Sequence, residues 1–75
     1  MGNKSANENR VDRADHVLRL YAEIEGSEAY EDDAESLLCD LLTDLRHWAD
    51  ANGLDIYRGL DMSYTHYLAE SNGEE

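Results

Sequence analysis

From Asp12 onward the chain alternates apolar and polar residues at the spacing of amphipathic helices. Ala14, Val17, Leu20, Tyr21 and Ile24 share one face, with Asp15, Arg19, Ala22 and Glu23 flanking it or opposite. Gly26 supplies a C-terminal stop, so a first helix is predicted over about 12–25. A second begins where Asp32 precedes Glu35 by the three-residue spacing of a capping box. Ala34, Leu37, Leu38, Leu41, Leu45 and Trp48 form its stripe, Leu42 and Ala49 widen it, and Asn52-Gly53 ends it, giving about 32–51. Asp55 caps a third, over about 55–70, on which Ile56, Tyr57, Leu60, Tyr64, Tyr67 and Leu68 share a face before Ser71-Asn72-Gly73.

No strand-like alternation and no internal repeat appears. Short connections favour antiparallel neighbours, so the fold expected is all-α, a compact three-helix bundle. The helical domain spans 11–71. Residues 1–10 are polar and aperiodic and read as a flexible N-terminal tail, and 72–75 as an acidic tail.

Composition narrows the function. Seventy-five residues make one small domain whose folded surface should be about 4,700 Å². Such a core is thin for an enzyme with an enclosed cleft. Eighteen Asp and Glu against six Lys and Arg give a net charge of −12, the wrong sign for gripping a phosphate backbone. Direct nucleic-acid binding is therefore not expected, and a basic partner is favoured. No apolar run reaches the length of a membrane span, the polar Met1–Arg10 stretch is not a signal peptide, and Gly2 lacks the Ser or Thr at position 6 of a myristoylation motif. A single cysteine, Cys39, fits a reducing, cytoplasmic setting.

The carboxylates are the most suggestive feature. At 100° per residue Asp33, Asp40 and Asp44 fall within about 40° of one another and flank the apolar stripe of the second helix. Glu31, Asp32 and Glu35 extend this surface at the helix start. Such an array can imitate a nucleic-acid backbone, since twelve charges match about 20 Å of duplex axis. The plainer reading is a solvated acidic face. A third is salt adaptation, because one lysine against five arginines with abundant Asp and Glu resembles proteins of hypersaline cytoplasm.

Tyr57, Tyr64 and Tyr67 read first as core residues with hydroxyls at the rim. Alternatively Tyr57 and Tyr64, with Trp48, form a partner-binding surface. Leu18, Leu42 and Met62 fall at or beyond the margins of their stripes, which makes room for a homodimer. His16, His47 and His66 lie on three different helices without an i,i+4 partner, and Asp50-Ala51-Asn52-Gly53 departs from a calcium loop at its sixth position, Asp55, so no metal is expected. Cys39 and His47 lie about 12 Å apart along one helix, and no Gly-rich phosphate loop is present. No cofactor and no catalytic activity are expected.

The segment Asp40-Leu41-Leu42-Thr43-Asp44-Leu45-Arg46-His47-Trp48, continuing through Gly53-Leu54-Asp55 to His66-Tyr67-Leu68-Ala69-Glu70, resembles short accessory proteins of bacterial phages, plasmids and integrated elements. It covers about 40% of the chain. Small acidic proteins of that kind are similar in style to anti-CRISPR and anti-restriction inhibitors. The resemblance implies an inhibitor that seats its carboxylates in the basic groove of a host defence protein. The alternative is a small helical adaptor docking through Trp48, Tyr57 and Tyr64.

Overall fold

Three capped helices follow one another in a computed structural model that describes residues 5–26 and 33–73. Helix α1 spans Ala6–Glu25, α2 Ala34–Ala51 and α3 Ile56–Ser71, and no strand occurs among the described residues. α1 packs on α2 and α2 on α3. The start of α1 is tied to the end of α3, where Asn7 Nδ2 donates to the Glu70 carbonyl at 2.9 Å and Arg10 Nε lies 3.4 Å from Glu70 Oε1. The chain is a three-helix bundle, as its periodicity predicts.

The first helix begins six residues earlier than expected. Ser5 Oγ accepts from the Glu8 N–H at 3.1 Å while Glu8 Oε1 accepts from the Ser5 N–H at 2.8 Å, a reciprocal capping box that satisfies two free donors. Residues 6–10, read as tail, are thus the first turns of α1. The cap of α2 also moves by one residue. Asp33, not Asp32, accepts from Ser36 N at 3.1 Å and from Ser36 Oγ at 2.7 Å. Asp55 caps α3 as expected, accepting from the N–H groups of Tyr57 and Arg58.

α1 stops at Gly26, whose φ of 72° lets its N–H return to the carbonyls of Ala22 and Glu23. Four residues join α2 to α3, and there Leu54 N–H donates to the Ala49 carbonyl at 2.9 Å, turning the chain back.

Enclosed volume is small. Among the described residues Ala22, Leu37 and Ala49 are the buried apolar ones, and only Leu37 is large. Leu18, Tyr21, Leu41 and Ile56 are half-buried. The chain extends over 37 × 30 × 17 Å. Large apolar side chains on all three helices keep 40% or more of their surface in solvent, among them Val17 and Leu20 on α1, Leu38 and Leu42 on α2, and Leu60 and Leu68 on α3. The tyrosines of α3 consequently do not form a core: Tyr57 is 68% exposed and Tyr64 and Tyr67 are 60% exposed.

Candidate functional site

Asp33, Glu35, Asp40 and Asp44 are all exposed. At 1.5 Å of rise per residue, Asp40 lies about 10 Å and Asp44 about 16 Å along α2 from Asp33. This spacing is wider than the 3.4 Å between phosphates along one strand of duplex. The intervals, about 10 Å and then about 6 Å, correspond to roughly three and two phosphate steps, so the row matches occasional phosphates, not every one. Glu31 and Asp32 lie outside the described residues.

The three aspartates are held differently. Asp33 is bound at its own helix start, where the Ser36 hydroxyl and then the Ser36 N–H favour the ionised form and lower its pKa from the ordinary 3.8. Asp44 Oδ2 accepts a short hydrogen bond from the Tyr21 hydroxyl, which links α2 to α1. That bond, followed by partial burial and the negative charge of Asp44, pushes the Tyr21 pKa well above its ordinary 10.0. Glu25 Oε2, 3.3 Å from the same hydroxyl, adds to the shift. Tyr21 was legible only as an apolar position of α1; the carboxylate it would meet comes from another helix. Asp40 is exposed and engaged by none of the described residues.

A second constellation lies at the α2–α3 corner. A groove of about 590 Å³ is lined by Leu45, Trp48, Leu54, Ile56, Arg58 and Met62, among others. Trp48 is 57% exposed and Met62 51% exposed. On the same pair of helices, Arg46 sits 5.2 Å from the Tyr57 ring centroid and donates from Nη1 to the Tyr57 hydroxyl at 3.1 Å. Tyr64 stacks on Tyr67 with centroids 6.4 Å apart. Trp48 lines the groove whereas Tyr57 and Tyr64 do not, so the aromatic surface read from the sequence divides into two. Leu54 and Met62 are the groove residues that periodicity missed, one in a connection and the other off its stripe.

Cys39 is a free, exposed thiol. Among the described residues no three His, Cys, Asp or Glu side chains are grouped to hold a metal ion, and no helix is long and apolar enough to cross a membrane. No protein-family model, curated protein or solved structure matches the chain.

Proposed function

We propose that this chain is a non-enzymatic inhibitor that seats the acidic flank of α2 in the basic groove of a nucleic-acid-binding protein. The observation that supports this reading most directly is the exposure of three aspartates, Asp33 at the N-cap of α2 and Asp40 and Asp44 along it. Two of them are fixed in place by Ser36 and Tyr21, so less ordering remains to be done on binding. The net charge of −12 steers the encounter with a positive surface and weakens with salt. In keeping with the resemblance to phage and mobile-element accessory proteins, the partner proposed is a bacterial defence protein, CRISPR effectors included.

The test is capture by the tagged chain from nuclease-treated bacterial lysate, repeated with added duplex DNA and with the triple variant Asp33→Asn, Asp40→Asn, Asp44→Asn. Asn is as good an N-cap as Asp, and its side-chain oxygen still accepts from Tyr21, so the helical signal should be preserved. A basic nucleic-acid-binding protein that DNA displaces, and that the variant no longer retains, is the expected result. Capture indifferent to both changes would refute the acidic site.

One observation favours a second reading. The exposure of Trp48, Tyr57 and Tyr64 suits an adaptor that docks a partner through aromatic contacts. Such docking would survive high salt, whereas carboxylate docking would not.

A further inference from the structure

We propose that Asn72 is a self-modifying site: the backbone nitrogen of Gly73 attacks its carboxamide, and the acid that results loosens the junction of α3 with α1. Of the five asparagines in the chain, only Asn52 and Asn72 precede a glycine. Glycine matters because it has no Cβ to keep its backbone nitrogen away from a neighbouring side chain. The bond from Gly73 N to Asn72 Cγ forms, the Cγ–Nδ2 bond breaks, and ammonia leaves with the proton of the peptide N–H. Water then opens the cyclic imide at one carbonyl or the other, leaving aspartate or isoaspartate. Nothing is oxidised or reduced.

The fold makes the two sites a matched pair with one difference. Each asparagine is exposed and is the C-cap of its helix, with φ and ψ of −105° and 8° at Asn52 and of −88° and 6° at Asn72. Each is followed by a glycine of positive φ, 69° at Gly53 and 81° at Gly73. Both glycine N–H groups donate to the carbonyl three residues back, Gly53 to Asp50 at 3.3 Å and Gly73 to Glu70 at 3.2 Å. The side chains differ. Asn52 Nδ2 donates to the Trp48 carbonyl at 2.8 Å, which holds that carboxamide against the last turn of α2. The Asn72 carboxamide is bound by none of the described residues. Attack at Asn52 therefore has one more hydrogen bond to break than attack at Asn72.

The product acts on a specific contact. The Glu70 carbonyl accepts from the Gly73 N–H and also from Asn7 Nδ2, and the Glu70 carboxylate faces Arg10. An imide nitrogen carries no hydrogen, so Gly73 releases that carbonyl as the ring closes. Isoaspartate then lengthens the backbone beside it. Either product adds a negative charge at the C-terminal end of α3, where unsatisfied carbonyls already carry partial negative charge. The last turn of α3 is weakened, and with it the seat of Asn7 and Arg10. This inference is independent of the acidic flank of α2 and of the proposed inhibition.

The experiment is ageing of the full chain at neutral pH, in buffer and in concentrated urea, followed by digestion after arginine and mass spectrometry. Cleavage at Arg46 and Arg58 places Asn52 in the peptide 47–58 and Asn72 in the peptide 59–75. In buffer the Asn72 peptide should convert about fivefold faster, the ratio that one hydrogen bond of about 1 kcal/mol produces. In urea the two rates should converge. The aged product, separated by its extra negative charge, should exchange backbone hydrogens faster at residues 6–10 and 68–71 than the starting chain. Asn72→Gln, whose longer side chain disfavours ring closure, should show neither change when aged alongside. Asn72 is exposed, so the helical signal of that variant should be unaltered. Equal conversion of the two peptides in buffer, or faster conversion at Asn52, would overturn the inference. So would the same ratio in urea, which would place the selection in the local sequence and not in the fold. Unchanged hydrogen exchange in the aged product would overturn its link to the α1–α3 junction.

Discussion

Leu37 has none of its surface exposed, whereas Leu38, one position on and 100° round α2, keeps nearly half of its own. The two leucines are chemically equal and energetically unequal. Truncating a fully buried leucine removes its transfer free energy and leaves a cavity, at a cost of about 2–5 kcal/mol. A domain of this length has a total stability of only about 4–11 kcal/mol. Leu37→Ala should therefore lose a large share of the folded population, and Leu38→Ala at most about 1 kcal/mol. Urea unfolding at fixed chain concentration measures both. Equal losses would show that Leu37 is no more central than its neighbour.

At the scale of the element, caps decide where helices begin. Ser5→Ala removes one arm of the capping box and should cost about 1 kcal/mol. Fraying should reach the Asn7 and Arg10 contacts with Glu70, since both depend on the first turns of α1. Hydrogen exchange at residues 6–10 should accelerate while α2 stays protected; unchanged exchange would show that the tie to α3 alone holds this end. The same region shows how far the sequence was legible. Ser5-Ala6-Asn7-Glu8 is a complete capping-box signal, but no apolar period runs through residues 6–10, and periodicity alone moved the start to Asp12. In Glu31-Asp32-Asp33 three acids compete for one cap, and the bond to Ser36, not the spacing to Glu35, selects Asp33. Periodicity also located α2 and α3 as helices, and the α2 stripe contains the buried Leu37 and Ala49, whereas no residue of the α3 stripe is buried. It could not show what covers them, because that depends on how closely the helices approach and cross. Tyr57 and Tyr64 thus read first as core, with an interface as the alternative, and in the fold they and Trp48 are exposed. The Asp33–Asp40–Asp44 row was legible from the helical angle, whereas the Tyr21 bond to Asp44 is a long-range contact that no local pattern encodes.

For the whole molecule, the controlling quantity is −12 charges spread over a thin fold. Self-repulsion opposes any compact state and is screened by salt. At neutral pH and fixed chain concentration, raising salt from low to physiological strength should lift Tm by about 5 °C, the shift that about 1 kcal/mol produces in a domain of this size. Lowering the pH from 7 toward the sequence pI of about 4.3 should act in the same direction, as carboxylates protonate. Two specific bonds set the limits of this gain. The Asp33 pKa is lowered in the folded state, so its contribution is present above the ordinary 3.8 and disappears as pH falls through the lower, folded value. The Tyr21 pKa is raised, so its contribution is complete below 10.0 and disappears only as pH climbs through the higher, folded value. Stability should therefore rise on mild acidification and decline below about pH 4 and again above about pH 10. Tyr21→Phe should remove the alkaline loss that comes from this bond, and leave the acid side unchanged. Thermal melts across pH and salt check these slopes together. A fold that appears only in molar salt would identify the acidic surface as salt adaptation. A Tm indifferent to salt would show that the carboxylates are too far apart to repel, and would remove the electrostatic basis for steering toward a basic groove.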